Sequence, residues 1–434
     1  MKRTIKELDV KGKKVLLRLD LNVPLNKQTG EISDDTRILE SLSTINYLCE
    51  NGAKLIICSH LGRPEGVDKK YSLKVVADRL AMILKNKVTF AEDTVGKDAK
   101  EKVKAMEEGE IVLLENLRFD EREEANDEKF CKELASLADL YVNDAFGTAH
   151  RKHASTYGVA KLLPNAVGFL MNKEIKVINQ ILEAPQKPFV AILGGAKIKD
   201  KIPVIENLIG KADTILVGGG MAYTFQKAIG GNVGTSLVDE EKITLAKELI
   251  EKAKKNNVEF VLPIDNLGAK EFSNDSKPKK FLAGQIADDY MGMDIGPKTI
   301  KLFKKYIKNA GTIVWNGPLG VFEFKKFAKG TNKIAKAIGK TKAFSFIGGG
   351  DSASAVIKSG YAKEVSHIST GGGASLSMLE GKVLPGVDII EELGEAKEAK
   401  TCEKCADKKC CAKKAPAKTA KKAPAKKAAP KAKK

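Results

Sequence analysis

No stretch of this sequence approaches the roughly 18 consecutive apolar residues that a membrane-spanning helix needs. The early apolar run Val15 to Leu17 is cut short by Arg18 and Asp20, which argues against a signal-peptide core. Both absences lead to the expectation of a cytoplasmic protein. Cysteine is sparse too. Of seven, Cys49, Cys58 and Cys131 are scattered through the body in apolar surroundings, the pattern of reduced, buried thiols rather than of a disulfide framework. Three familiar signatures of phosphate or dinucleotide chemistry are also missing. The nearest approach to G-x-x-x-x-G-K-[ST] is Gly339-Lys340-Thr341, with Ile334 where the first glycine belongs. His150-Arg151-Lys152 is not a protein-kinase catalytic loop, and no G-x-G-x-x-G follows an apolar run. Phosphate chemistry in this chain requires a different architecture.

What is present points to two α/β domains. At 434 residues the chain exceeds one ordinary core, and two units of about 170 to 200 residues each are expected. Short Val/Ile/Leu-rich runs alternate with longer amphipathic stretches, which predicts βαβ units and doubly wound, Rossmann-like parallel sheets. Candidate strands are Val15 to Leu19, Leu55 to Cys58, Ile111 to Leu114 and Leu140 to Val142, then Val190 to Leu193, Thr214 to Val217, Phe260 to Leu262, Thr312 to Trp315 and Phe344 to Ile347. Between the halves, Asn172 to Glu183 reads as one amphipathic helix with Ile175, Ile178, Ile181 and Leu182 on a stripe, closed by Pro185 and Pro188. It is either a lever between moving domains or an ordinary linker. The expected division is 1–170, an interdomain helix at 171–185, 186–375, a segment at 376–393 returning to the first domain, and a tail at 394–434.

Ligands in open α/β sheets bind outside the carboxyl ends of the strands, so the residues after each run carry the chemistry. In the first half these are Asp20 and Asn22, His60 and Arg63, Asn116 and Arg118, then Asn143 and Asp144 leading to His150 and Arg151. Counted as cations, Arg37, His60, Arg63, Arg118, His150 and Arg151 suit a small, multiply anionic substrate, since the arginine fork matches phosphate and carboxylate oxygens. Asp20 and Asn22 can hold a hydroxyl. Any one of these arginines, taken singly, reads equally as a solvated surface charge; the argument rests on their number. In the second half the strand ends carry Gly194-Gly195-Ala196-Lys197, Gly218-Gly219-Gly220, Asp265, Asn316-Gly317-Pro318 and Gly348-Gly349-Gly350-Asp351-Ser352. Glycines with few charges suit a nucleotide polyphosphate. The last stretch reads as strand, turn and helix start, where free N–H groups seat a phosphate and a carboxylate suits magnesium. A packing turn is its competing reading. His150 and His153 lack a partner carboxylate or cysteine at metal spacing, and His367 is expected to be packed rather than catalytic. Lys301 to Lys308 reads as a solvated helix face.

Lys14-Val15-Leu16-Leu17-Arg18-Leu19-Asp20-Leu21-Asn22-Val23-Pro24, Ser59-His60-Leu61-Gly62-Arg63-Pro64, Glu115-Asn116-Leu117-Arg118-Phe119 and Asn143 to Arg151 stand in order through the first half. Leu193 to Lys197, Trp315 to Pro318, Val321-Phe322-Glu323, Gly348 to Asp351 and Ser369 to Ser375 follow in the second. Together, over residues 1 to about 393, they resemble the phosphoglycerate kinase family. The resemblance implies reversible transfer of the acyl phosphate of 1,3-bisphosphoglycerate to Mg-ADP, giving ATP and 3-phosphoglycerate in glycolysis, by an enzyme expected to be monomeric. It implies that Asp20, Asn22, Arg37, His60, Arg63, Arg118, His150 and Arg151 bind the glycerate. It assigns the nucleotide to Gly195, Lys197, Lys201, Gly219, Asn316, Glu323, Gly348, Gly349, Gly350, Asp351 and Ser352, with Asp351 on Mg2+, Glu323 at the ribose and a serine at 352 where many members have threonine. Gly371, Gly372 and Gly373 are by resemblance part of the hinge and phosphate site, and Arg37 and Lys197 are the catalytic cations that meet the transferring phosphoryl group. No nucleophile or base is needed, since phosphoryl transfer rests on positioning and charge. Pro203 belongs in a helix's first turn, which places Lys201 near a helix start and Lys197 in a loop.

The net charge of +19 is concentrated at one end. Residues 394–434 hold 15 lysines against 4 acids, or +11, leaving +8 (19 − 11) for residues 1–393. Repeats such as Lys413 to Lys418 and Lys421 to Lys426 cannot bury a core, and a disordered tail resembling those of linker histones is expected. Weak, salt-sensitive nucleic-acid or polyanion binding competes with a solvated tail without a partner. Cys402, Cys405, Cys410 and Cys411 offer four thiolates to a metal, with adventitious thiols as the alternative. At the level of the whole chain, the alternative function is a kinase-like body that serves mainly to bind polyanions.

Overall fold

The computed structural model of the chain describes residues 1–85 and 88–394. The expectations for the cysteines at 402–411 and for the lysine-rich tail lie outside the described residues. The body is built from two parallel-sheet α/β domains. The first sheet comprises β1 (Lys14–Arg18), β2 (Lys54–Cys58), β3 (Val88–Phe90), β4 (Ile111–Leu113), β5 (Leu140–Asn143) and β6 (Asn165–Val167), in the order β3-β4-β2-β1-β5-β6. The second half contributes β7 (Phe189–Leu193), β8 (Thr214–Val217), β9 (Asn232–Val233), β10 (Glu259–Val261), β11 (Asp265–Ala269), β12 (Lys279–Leu282), β13 (Gln285–Ile286), β14 (Met291–Ile295), β15 (Thr312–Asn316), β16 (Phe344–Gly348) and β17 (His367–Ile368). Its main sheet runs β10-β8-β7-β15-β16-β17.

Both orders follow from the sequence pattern. Strands such as Phe189–Leu193 are apolar at every position because helices cover both faces of the sheet, and all five of its residues are buried. A fully buried aliphatic or aromatic side chain contributes roughly 1.5–3 kcal/mol, so the central strands and their covering helices dominate the stability. In each sheet the chain starts at a central strand and reverses direction beside it, between β1 and β5 in the first and between β7 and β15 in the second. Those switch points open the crevices that ligands occupy in such folds.

The structure also contains elements that the apolar runs do not announce. β3, β6 and β17 are edge strands of two or three residues. β11, β12 and β14 form a separate antiparallel sheet, and β9 pairs with β13. Asp265 does not line a crevice: it caps the helix Pro297–Asn309, accepting from the backbone N–H groups of Lys298 at 2.9 Å and Thr299 at 2.7 Å. That helix buries Ile300, Phe303 and Ile307, while Lys301, Lys305 and Lys308 stay exposed.

The helix between the halves spans Phe169–Glu183 and starts three residues earlier than the apolar stripe suggests. Gly168 supplies an extended N-cap, and Asp144 accepts the N–H of Met171 at 2.8 Å, which satisfies part of the first turn. Ile178 and Ile181 are buried as expected, but so is Glu174. The end of the described chain returns to the first sheet's domain. Gly386 donates to the carbonyl of Ala149 at 2.8 Å, and Arg3 donates to that of Glu391 at 2.8 Å.

Candidate active site

At the carboxyl end of the first sheet, Asp20 follows β1, His60 and Arg63 follow β2, Arg118 follows β4, and His150 and Arg151 follow β5. Arg37 lies in the first turn of the helix Thr36–Glu50 and donates to Asp20 at 2.7 Å. Asn22 accepts the N–H of Gly62 at 2.8 Å, and Arg118 donates to the Gly62 carbonyl at 2.6 Å, so the His60–Arg63 loop is held from both sides. Arg63, Arg118 and Arg151 line a hollow of about 890 Å³ together with Glu124, which pairs with Arg118 at 3.0 Å. The expected cations are thus brought together, with one correction. His60 and His150 are not cations at neutral pH. Burial, reinforced by the charges of Arg18, Arg118, Arg37 and Arg151, holds His60 well below its usual range. Burial, with Arg151 adding to it, lowers His150 as well, and Arg151 donates to its Nε2 at 3.2 Å. The positive charge of this crevice comes from its arginines.

At the second sheet three turns meet backbone to backbone. Gly194 donates to the Asn316 carbonyl at 2.9 Å, Gly195 to that of Pro318 at 2.8 Å, and Gly219 to that of Leu319 at 3.1 Å. Gly219 has φ of +66°, and a Cβ there would lie 2.6 Å from the Gly195 nitrogen, so only glycine fits. The Gly348 stretch forms as the sequence pattern predicts. β16 ends at Gly348, Gly349 takes φ of +89°, and Gly350 opens the helix Gly350–Lys358 with Asp351 in its first turn. Ser352 is buried and accepts the N–H of Gly317 at 2.6 Å, so its hydroxyl ties two crevice loops together. Lys201 is the N-cap residue of the helix Ile202–Ile209, with Pro203 in its first turn, and donates to the Asn316 side chain. Burial lowers its pKa against the raising effect of Asp200, Asp351 and Glu380. Lys197 is exposed in the loop before it.

A cleft of about 280 Å³ is lined by Gly195, Gly219, Glu323 and Asp351, with Leu237, Phe272, Met291, Met293 and Val321 as apolar walls. The sequence left these walls unmarked. Their signal is visible only in the fold, where β14 of the antiparallel sheet supplies Met291 and Met293, and where Phe272 and Leu237 are large apolar side chains left exposed.

The Gly371–Gly373 turn, which follows β17 of the second sheet, packs against the first domain. A Cβ on Gly373 would lie 3.4 Å from the His150 ring, and one on Gly371 would collide with Phe146. Behind the turn, Glu174 of the interdomain helix is fully buried. It accepts from Ser369 Oγ at 2.9 Å and Thr370 N at 2.9 Å, and its Oε2 lies 3.0 Å from His367 Nε2. His367 is therefore packed, as expected, but at a junction rather than in a plain core. Among the described residues, no cluster of three His, Cys, Asp or Glu side chains has metal-binding geometry. The protein offers a divalent ion the carboxylate of Asp351 at the edge of the glycine-lined cleft, whose other acid is Glu323. That fits magnesium, which keeps several waters and takes its remaining ligands from phosphate oxygens.

The phosphoglycerate kinase family profile matches residues 5–382. A phosphoglycerate kinase of Clostridium botulinum is 53% identical over 395 residues, covering 90% of this chain and 99% of its own. One from Finegoldia magna is 54% identical over 394 residues, with the same coverage. The solved phosphoglycerate kinase of Coxiella burnetii superposes with a TM-score of 0.83 at 41% identity, covering 90% of this chain and 98% of that one. The Pyrococcus horikoshii structure gives 0.77 at 34%, covering 89% and 98%.

Proposed function

The chain belongs to the phosphoglycerate kinase family, and from that membership we propose how its residues divide the reaction. The enzyme is a phosphotransferase with a carboxyl group as acceptor: it moves the acyl phosphate of 1,3-bisphosphoglycerate to ADP and back. The arginine crevice holds the glycerate, with Asp20 and Asn22 at its hydroxyl and Arg37, Arg63, Arg118 and Arg151 on its carboxylate and phosphate. The glycine crevice holds the nucleotide. Its base rests against the apolar walls around Met291, Met293 and Phe272, its ribose lies at Glu323, and its phosphates lie along Gly195, Lys197, Lys201, Gly219, Asn316 and the Gly348–Gly350 turn. Magnesium held by Asp351, when bound, neutralises charge on the phosphate oxygens. Arg37 and Lys197 come from different domains and stabilise the equatorial oxygens of the phosphoryl group when the crevices close, with the Gly371–Gly373 turn between them.

The observation that carries this reading is the pairing of an arginine-lined crevice at one switch point with a glycine-lined cleft at the other, with the Gly371–Gly373 turn of the second domain packed against Phe146 and His150 of the first. The test is ATP-dependent phosphorylation of 3-phosphoglycerate by the purified full chain in a coupled assay; no turnover at substrate saturation overturns it. We assign the enzyme to the cytoplasm as a monomer. Among the described residues no helix is long and apolar enough to cross a membrane. The tail's 15 lysines support weak polyanion binding as an addition to catalysis. An electrophoretic shift that is unchanged on deleting residues 394–434 overturns that assignment.

A further inference from the structure

Behind the arginine crevice lies a buried charged relay that the reaction scheme does not use. Arg18, the last residue of β1, is 1% exposed, a costly place for a guanidinium unless its donors are used. Its Nε donates to Ser155 Oγ at 2.8 Å, one Nη donates to the carbonyl of Leu19, and the other lies 3.2 Å from His60 Nδ1. Ser155, itself fully buried, passes the contact on: its Oγ donates to Glu123 at 2.5 Å and its N–H to the same carboxyl at 2.9 Å. Glu123 is 1% exposed, and burial pushes its carboxyl up against the opposing pull of Arg18 and the Ser155 bonds. Three segments thus form one chain of contacts that ends on the His60 ring: the turn after β4, the turn Ala154–Gly158 that follows Arg151, and the end of β1.

We propose that Arg18, Ser155 and Glu123 form a positioning relay that fixes His60 in the tautomer with its proton on Nε2, so that the ring presents one defined N–H to the glycerate crevice. A guanidinium has five donors and no acceptor, so the atom facing its Nη must carry the lone pair. A proton on Nδ1 would set donor against donor between two buried side chains. That leaves Nε2 as the N–H. Nε2 has no partner among the described residues and is not one of their enclosed unpaired atoms, so it is free for a ligand. The surrounding arginines, together with burial, keep the ring from taking a second proton. The anionic oxygens drawn to those arginines would therefore meet a neutral donor. Ser155 orients Arg18, and Glu123 orients Ser155, so both act through another residue and neither touches substrate.

This inference rests on reading His60 as a glycerate-crevice residue, and its test separates the two. The full chain is labelled with 15N in its four histidines, and the His60 ring signals are assigned by their loss in His60→Gln. At neutral pH the expected spectrum has an unprotonated Nδ1 and a protonated Nε2. A proton on Nδ1, or on both nitrogens, overturns the proposal whatever the enzyme's activity. Ser155→Ala is expected to bring in the second tautomer and to raise KM for 3-phosphoglycerate about tenfold, the scale of one lost hydrogen bond to a charged group, with KM for Mg-ATP unchanged. An unaltered ring spectrum with an unaltered KM in Ser155→Ala also overturns it. A wild-type chain that shows the predicted ring signals but does not phosphorylate 3-phosphoglycerate overturns the functional reading and leaves the relay standing.

Discussion

Replacing Gly219 by alanine forces apart three loops that share one small volume. The new Cβ would lie 2.6 Å from the Gly195 nitrogen and 2.7 Å from the carbonyl oxygens of Gly195 and Pro318, about 0.8 Å short of the 3.4 Å of an ordinary contact. All three neighbours are backbone, so no side chain can swing away. The same loops are tied by Gly195 N to Pro318 O at 2.8 Å, Gly219 N to Leu319 O at 3.1 Å and Met221 N to Gly195 O at 3.1 Å. Losing two of these at about 1 kcal/mol each, and holding alanine in the left-handed region at about 1–2 kcal/mol, gives a destabilisation of about 3–4 kcal/mol. At about 2–4 °C per kcal/mol the melting transition falls by about 10 °C. Because the loops line the cleft proposed to hold the nucleotide, the expected KM for Mg-ATP is at least about tenfold higher, with little change in KM for 3-phosphoglycerate. Calorimetry and initial rates read both effects. Gly210→Ala is the matched control, since Gly210 has φ of −88° and nothing within 4 Å of a built Cβ; it stays within about 0.5 kcal/mol of wild type. A Gly219→Ala protein with unchanged stability and an unchanged KM for Mg-ATP refutes the reasoning.

Three further outcomes follow from buried groups. Glu174→Gln replaces one of two acceptor oxygens with a donor among His367, Ser369 and Thr370, and lowers stability by about 2 kcal/mol; an unchanged urea midpoint contradicts it. Burial depresses His153 from its usual range to about 4, so the folded protein binds fewer protons than the unfolded chain between about pH 6.5 and 4. The stability that His153 contributes is present above that window and lost as pH falls through it, by at most about 3 kcal/mol; His153→Gln should show a shallower acid limb in urea titrations. Cys58 is fully buried and its thiol is pushed up to about 12, so mass-spectrometric mapping after native alkylation at pH 8 should find it unmodified until the protein unfolds.

Much of this architecture is legible in the sequence because its main strands are buried on both faces. Apolar runs such as Phe189–Leu193 and Thr312–Asn316 are continuous for that reason, and the residues after them fall at the strand ends where ligands sit. The short edge strands β3, β6 and β17 carry too few residues to show a period. β11 and β14 interrupt their apolar positions with Asp265, Asn266 and Asp294; the two aspartates accept from the first turns of helices and Asn266 donates to Gln226, so none of them is a strand signal. Two of the apolar walls of the glycine-lined cleft, Met291 and Met293, come from that sheet, so they stayed unmarked. Histidine charge was likewise out of reach: His60 follows a strand as a cation would, and its burial, reinforced by the neighbouring arginines, disfavours the charged form. Glu123 and Ser155 belong to no motif, and their contacts appear only when the end of β1 meets the turns after β4 and after Arg151.

The decisive measurement is kcat for the full chain beside Arg37→Ala and Lys197→Ala, with 3-phosphoglycerate and Mg-ATP both saturating. If the two cations reach the same phosphoryl group from different domains, the wild type turns over and each variant loses on the order of 10³-fold or more in kcat. The double variant then loses far less than the product of the two. A wild-type chain without turnover, or either single variant with full kcat, would contradict it.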